Sequence, residues 1–170
     1  MRRCLVLAAL LAAACGDPLH AAQVAALGPE DPRVPPGPMH RPGQPCLVCH
    51  GDGGSATPLA AAGTLFRDPA ATLPIAGADV ILTDAARKSI ALRTNCAGNF
   101  FVYPRSFAPV MPLWASAALG EHTIQMESPM HRDGDCAQCH ADGAGPASAG
   151  HLFLTDDPLV SATLRPSVCP

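Results

Sequence analysis

The chain has 170 residues, of which 48% are hydrophobic and 15% are charged. This length accommodates one domain, or one core domain with short appended segments, and the composition is too apolar for a disordered chain. The formal net charge of −3 argues against nucleic-acid binding, which needs a basic surface, so we expect no nucleic-acid partner. Nineteen prolines and fifteen glycines predict many loops. Aromatic residues make up only 4%, so a core of side chains alone would be thin, and the eight cysteines need an explanation.

The first segment has the features of an export signal. Arg2 and Arg3 precede an unbroken apolar run over residues 5–14, which is too short to span a bilayer as a helix. The run fits the central region of a signal peptide, so we expect residues 1–14 to be removed on export. Their loss would leave nine basic and fourteen acidic side chains, a net charge of −5.

Small residues precede Cys15, and the segment resembles a bacterial lipoprotein signal, in which such a cysteine becomes the lipid-modified N-terminus. Ala12 stands where that motif usually has leucine, and ordinary cleavage after Ala-x-Ala is the alternative. The resemblance implies lipidation of Cys15 and attachment to the membrane by the lipid alone. Gly16, rather than Asp, follows the cysteine, which favours the outer membrane, facing the periplasm. Residues 15–37 are rich in Ala, Pro and Gly, and they predict a flexible tether.

Two Cys-x-x-Cys-His motifs, at residues 46–50 and 136–140, carry the chemistry. This spacing is the attachment signature of c-type haem. Two thiols separated by two residues can add to the two vinyl groups on one porphyrin edge, and the adjacent histidine supplies an axial nitrogen to the iron. The sequence therefore predicts two covalent haem c groups. The predicted thioether residues are Cys46, Cys49, Cys136 and Cys139, and the predicted proximal iron ligands are His50 and His140.

Three other chemistries use paired cysteines. Two Cys-x-x-Cys pairs can build a zinc ribbon, but this is mostly an intracellular solution and leaves both histidines without a role. A thioredoxin-like pair needs a βαβ context, which the sequence does not show. Simple disulfides are the remaining alternative for an exported chain. Because a histidine directly follows both pairs, we favour haem attachment.

The two motifs belong to a longer repeat. The tetrapeptide Pro-Met-His-Arg occupies residues 38–41 and 129–132, shortly before each motif. An iron with one histidine from its motif has an open face, and His40 and His131 are the natural second, distal ligands. Each could serve the haem of its own repeat or that of the other repeat, and the alternative is a structural turn with a solvated histidine. The rival ligands are Met39, Met126 and Met130, although methionine more often fills a core.

The region between the motifs, residues 62–128, has the pattern of a β-sheet domain. Short alternating or β-branched and aromatic runs are separated by Gly, Pro and Asn turns, which predicts an antiparallel β-sandwich. The predicted strands cover residues 77–82, 89–94, 99–103, 113–118 and 122–126.

Residues 62–66, 75–84 and 94–100 resemble the carboxypeptidase regulatory-like, or Cna-B-like, β-sandwich family. This resemblance implies a structural or adhesive domain that carries no catalytic residues. The predicted haem-binding segments flank this domain at residues 38–61 and 129–170, and within them residues 38–54 and 129–145 are similar to multihaem c-type cytochromes. Together these resemblances imply a mainly β protein, an antiparallel β-sandwich flanked by two loop-rich, short-helix segments that bind c-type haem.

Cys96 and Cys169 belong to no haem motif. Both lie in the exported chain, where thiols tend to oxidise, and a disulfide between them would attach the C-terminal tail to the sandwich. Two free or intermolecular thiols are the alternative.

Electron transfer between respiratory or other redox partner proteins is the function that two covalent haems favour. An antiparallel sandwich returns the chain to the end it left, so we expect the two motifs to lie near each other. We expect an electron carrier rather than an enzyme. One alternative is reduction of peroxide or a nitrogen oxide at a haem with an open position. The other is a surface β-sandwich binding module with structural or sensory haems.

Overall fold

The computed structural model describes residues 17–32, 34, 36–70, 73–141 and 144–164. The predicted signal peptide, the predicted lipidation site Cys15 and the disulfide candidate Cys169 lie outside this part of the chain. Those predictions therefore stay predictions.

Within the described part of the chain, seven β-strands form two sheets. In chain order they are β1 (Ala61–Thr64), β2 (Asp79–Asp84), β3 (Ser89–Arg93), β4 (Asn99–Val102), β5 (Leu113–Leu119), β6 (His122–Gln125) and β7 (Gly134–Asp135). The larger sheet has the order β3–β2–β5–β6, and the smaller sheet has the order β4–β1–β7. The prediction of a mainly β fold is confirmed, and the two sheets are consistent with a β-sandwich.

Antiparallel pairing dominates both sheets. In the larger sheet Val80 lies opposite Leu92 on one side and Ala117 on the other. In the smaller sheet β1 pairs antiparallel with β4, whereas β7 pairs parallel with β1. The short parallel strand β7 belongs to the predicted second haem segment, so that segment contributes a strand to the smaller sheet.

Alternating side chains on β2 connect the sequence pattern to the core. Val80 and Leu82 are buried while Asp79 and Ile81 are exposed, because successive residues of a strand point to opposite faces. Buried side chains from both sheets form one cluster with residues from the connecting segments. This cluster includes Ala61, Leu65, Ile75, Val80, Leu82, Phe100, Val102, Phe107, Leu113, Ala117 and Leu154.

The segment after residue 128 runs back along the sandwich. The backbones of Met130 and Leu113 exchange two hydrogen bonds of 2.8 Å. Farther along, Phe153 forms a parallel bridge with Phe66, and Leu154 is buried in the core. These contacts hold the second motif against the strands that follow the first.

A helix, α1 (Pro18–Ala26), lies within the segment predicted to be a flexible tether. Asp17 caps it by accepting hydrogen bonds from the Leu19 and His20 N–H groups, and the proline at its first position favours helix initiation. His20 Nε2 lies 2.6 Å from the Val48 carbonyl oxygen, so the helix is attached to the first motif.

Two shorter helices are α2 (Leu47–His50) and α3 (Pro158–Thr163), the second capped by the Asp157 side chain. Within the described ranges, no helix is both long and apolar enough to cross a membrane.

Gly63 on β1 lies where the smaller sheet packs against the second motif, so a substitution at this residue tests that packing. A Cβ on this residue would lie 2.7 Å from Phe100 Cζ and 2.9 Å from Cys136 Cβ. We expect Gly63→Ala to lower the free energy of unfolding by about 1–3 kcal/mol, because overpacking forces the neighbours apart. Urea unfolding measures the change. Gly145→Ala is the control, since a Cβ there would meet nothing within 4 Å, and equal stability of the two variants would contradict this packing.

Candidate functional site

Both Cys-x-x-Cys-His motifs fold into the same tight turn. In the first, the N–H groups of Cys49 and His50 donate to the Cys46 carbonyl oxygen at 3.2 and 2.9 Å. In the second, Cys139 and His140 donate in the same way to Cys136, at 3.3 and 2.9 Å. The turn brings both cysteines and the histidine of each motif within one helical turn of backbone. This is the spacing that attachment to one porphyrin edge requires.

Each motif histidine is held by its Nδ1 atom. His50 Nδ1 lies 2.8 Å from the Thr57 carbonyl oxygen, and His140 Nδ1 lies 2.9 Å from the Gly150 carbonyl oxygen. A carbonyl oxygen can only accept, so Nδ1 carries a proton, which leaves Nε2 as the nitrogen that can bind a metal. Metal-ligating histidines are usually oriented in this way.

His40 joins the first motif. Its ring centre lies 5.8 Å from that of His50 at an interplanar angle of 36°, and its Nδ1 is hydrogen-bonded to the Gly37 carbonyl oxygen. Two imidazoles that bind one metal from opposite sides, with metal–nitrogen bonds of about 2 Å, would have ring centres roughly 6 Å apart. The 5.8 Å between the His40 and His50 ring centres is close to this separation.

A cavity of about 650 Å³ adjoins the first motif. This volume lies within the range of ordinary cofactor and ligand sites. Its walls contain both thiols of the motif, the two histidines and three aromatic rings of β4 and the residue that follows it. These lining residues include Cys46, Cys49, His40, His50, Phe100, Phe101 and Tyr103. A covalent haem needs thiols for its thioether bonds, imidazoles for its iron and apolar rings that pack against the porphyrin. The cavity lining supplies all three, so the residues fit the group.

The second motif has a different environment. Cys136 is buried, whereas Cys139 is exposed. His131 is exposed, and within the described part of the chain it has no hydrogen bond, ion pair or ring contact. The structure thus brings His40 to its own motif, while it shows no such contact for His131, and the role of both as distal ligands stays a prediction.

The two motifs meet at Asp135. The Leu47 N–H of the first motif donates to Asp135 Oδ2 at 2.9 Å, and Asp135 directly precedes Cys136 of the second. The expectation that the motifs lie near each other is therefore confirmed. Sequence reasoning missed Asp135, because the first repeat has Pro45 at the equivalent place and the repeat comparison gives no signal there.

Burial governs the ionisation of these groups. It raises the pKa of Asp135 to about 6, against the lowering effect of the Leu47 N–H. Asp135 Oδ1 is buried and has no hydrogen-bond partner among the described residues. Burial, assisted by the Asp135 charge, raises the pKa of the Cys46 thiol to about 12 and raises that of Cys136 as well. Disulfide exchange needs a thiolate, so these raised pKa values disfavour a thioredoxin-like role.

The remaining sulfur atoms have other contacts. The four motif cysteines are free thiols, whereas Cys96 is disulfide-bonded. Its predicted partner Cys169 lies outside the described residues, so the pairing itself stays a prediction. Cys96 Sγ lies 3.0 Å from Met39 Sδ, and Met130 packs against the core. These contacts occupy two of the rival methionine ligands.

Comparison of the chain with protein-family models, curated proteins and solved structures gives no match. Among the residues that the structure describes, no three His, Cys, Asp or Glu side chains are grouped so that they could hold a bare metal ion.

Asp135→Asn should flatten the pH dependence of stability. The folded-state pKa of about 6 exceeds the ordinary value of 3.8, so the unfolded chain releases this proton first. The contribution of this carboxyl group to stability is therefore fully present below pH 4, and it falls by roughly 3 kcal/mol as the pH rises past 6. Urea unfolding from pH 4 to 7 measures the slope, and the difference between the two proteins isolates this carboxyl group. Parallel slopes would show that Asp135 is not a strained acid.

Cys169→Ser should expose one thiol. If Cys169 is the partner of Cys96, alkylation under denaturing, non-reducing conditions adds one label to this variant and none at these positions in the wild type. Mass spectrometry counts the labels and locates the new one at Cys96. An unlabelled Cys96 in the variant would assign its disulfide to another cysteine.

Proposed function

We propose that this protein is an exported dihaem c-type cytochrome that carries electrons between redox partner proteins. One observation carries the proposal. Both Cys-x-x-Cys-His motifs form the same turn, and in each the histidine Nδ1 is fixed to a backbone carbonyl so that Nε2 is left as a ligand. Two sites built alike on one short chain favour two copies of the same cofactor.

The residues divide the work as follows. Cys46 and Cys49 would hold the first haem c through thioether bonds, and Cys136 and Cys139 would hold the second. His50 and His140 would be the proximal ligands, and the carbonyl oxygens that bind their Nδ1 atoms fix the ring orientation and raise the basicity of Nε2. When bound, each haem supplies a one-electron oxidation and reduction couple.

The first site favours electron transfer over catalysis. His40 lies beside His50, and the rings of Phe101 and Tyr103 line the same cavity. If both histidines held the iron of the first haem, no ligand position would be left for a substrate. The site would then exchange electrons without binding small molecules.

Proximity of the motifs supports exchange of electrons within the chain. The Leu47–Asp135 hydrogen bond links the two turns directly. Phe100, which lines the first cavity, packs on Gly63 together with Cys136 of the second motif. An electron that enters at one site would thus have a short route to the other.

A second candidate function concerns the second motif alone. Cys139 and His131 are both exposed, and His131 makes none of the contacts that hold His40. These observations favour an open axial position there, which would allow reduction of a small ligand such as peroxide or a nitrogen oxide. Ligand binding at one haem only, with turnover of that ligand, would support this alternative.

The place of action follows from the N-terminal sequence. A signal peptide over residues 1–14 and lipidation at Cys15 would place the protein in the periplasm, attached to the outer membrane by lipid alone. Covalent attachment of c-type haem after export agrees with this location.

Haem content tests the proposal. A pyridine haemochrome assay on protein produced with a cytochrome c maturation system should give two haems per chain. The double variants C46S/C49S and C136S/C139S should each retain one, because each removes one pair of thioethers. Reductive titration of the wild type should then take up two electrons per chain.

The variant Cys96→Ser is the matched control, since it removes a cysteine outside both motifs. It should retain two haems. A wild-type chain with no covalent haem would overturn the proposal.

A further inference from the structure

A buried polar pair lies beneath the loop that carries His40. Thr64 on β1 and Asn99 on β4 are directly opposite each other in the smaller sheet, and they are 5% and 7% exposed. Thr64 Oγ1 donates to Asn99 Oδ1 at 2.7 Å. Burial of a polar side chain costs free energy unless its hydrogen bonds are made, so the other polar atoms of Thr64 and Asn99 also need partners.

Their remaining hydrogen bonds go to the backbone on both sides of His40. Asn99 Nδ2 donates to the carbonyl oxygens of Pro38, at 3.2 Å, and His40, at 3.1 Å. Thr64 Oγ1 accepts from the Gly43 N–H at 2.8 Å. The pair is therefore hydrogen-bonded to the loop backbone before, at and after His40, and every polar atom of the two side chains has a hydrogen bond.

The loop depends on such contacts because its backbone is not a locally favoured one. Arg41, the residue after His40, has a φ of 51°, in the left-handed region that side chains other than glycine seldom adopt. Residues held in this region persist when surrounding structure determines them. Here the surrounding structure has two parts: the smaller sheet, through Thr64 and Asn99, holds the loop backbone, and the Arg41 side chain itself donates to the Leu27 and Gly28 carbonyl oxygens.

The second repeat provides an internal comparison. It has the same Pro-Met-His-Arg tetrapeptide, but there the Met130 backbone pairs with Leu113, and His131 is exposed. Identical tetrapeptides thus have different placements. The tetrapeptide alone therefore does not decide where the histidine lies. The contacts around it do, and in the first repeat they include those of Thr64 and Asn99.

We propose that Thr64 and Asn99 are positioning residues that hold His40 as the second axial ligand of the first haem, an inference that rests on the proposed function. They do not touch the iron. They fix the backbone of the ligand loop, so that the His40 ring stays beside His50 without a large loss of entropy on coordination.

Two near-isosteric substitutions test this role in the full-length, haem-loaded protein. Asn99→Asp removes both donated hydrogen bonds and sets a carboxylate against two carbonyl oxygens. Thr64→Val removes the hydroxyl at constant shape. Thr64→Ser restores it, and Thr83→Val, which breaks the Thr83–Ser89 hydroxyl pair on the larger sheet, is the matched control.

The readouts are the low-spin signal in paramagnetic resonance and the carbon monoxide bound per chain after reduction. His40→Ala sets the full-scale change. Asn99→Asp and Thr64→Val should each raise the fraction of chains with a detached His40 roughly tenfold, as loss of a typical buried hydrogen bond implies. Thr64→Ser and Thr83→Val should keep the wild-type spectrum.

The outcomes separate the two proposals. If Asn99→Asp and Thr64→Val carry two haems and keep the wild-type spectrum while His40→Ala changes it, the positioning role is wrong and the cytochrome assignment stands. If His40→Ala also leaves the spectrum unchanged, there is no ligand to position and the inference fails. Should Asn99→Asp not fold, Thr64→Val against Thr64→Ser decides alone. A wild type without covalent haem overturns the proposed function itself.

Discussion

The hydrogen bond between the Leu47 N–H and the Asp135 carboxylate joins parts of the chain that are 88 residues apart. It exists because β7 pairs in parallel with β1, with Asp135 opposite Ala62, which carries the carboxylate to the start of helix α2. Free N–H groups at the start of a helix stabilise a negative charge, and this lowers the pKa of a nearby carboxyl group. Burial has the opposite and larger effect on Asp135, whose pKa is raised. The arrangement of both motifs depends on this compromise between a favourable partner and an unfavourable environment.

The two sequence repeats on either side of this hydrogen bond have similar motifs but different surroundings. The motifs themselves form equal turns, since their hydrogen bonds are local and need only the spacing of the residues. The tetrapeptides upstream do not, since their placement depends on which strand they meet. The side chains of Thr64 and Asn99 are hydrogen-bonded to the loop that carries His40, whereas the Met130 backbone is hydrogen-bonded to the Leu113 backbone. A repeat in sequence therefore yields one enclosed site and one more open site.

Much of this could be read from the sequence where the cause is local. Alternation predicted a strand at residues 89–94, and a short run after a turn predicted another at 122–126. The structure has β3 (Ser89–Arg93) and β6 (His122–Gln125) there. Strand β1 is built of small residues without alternation, and β7 has two residues, so neither gives a periodic signal. Helix α1 and the site residue Asp135 were missed as well. Asp135 takes its role from a contact distant in sequence, which composition and spacing do not encode. Helix α1, in contrast, begins with a local signal, the Asp17 cap followed by Pro18, which the composition of the segment obscured.

The shortage of aromatic residues now has a structural counterpart. Three of the seven aromatic side chains, Phe100, Phe101 and Tyr103, come from one short stretch and line the first cavity. Phe100 belongs to the hydrophobic core, lines the first cavity and lies next to Gly63, as Cys136 of the second motif does. The core and the first site therefore share the Phe100 side chain. Because of this sharing, a group bound in the cavity would also pack against β4, so occupation of the cavity and stability of the smaller sheet would be coupled.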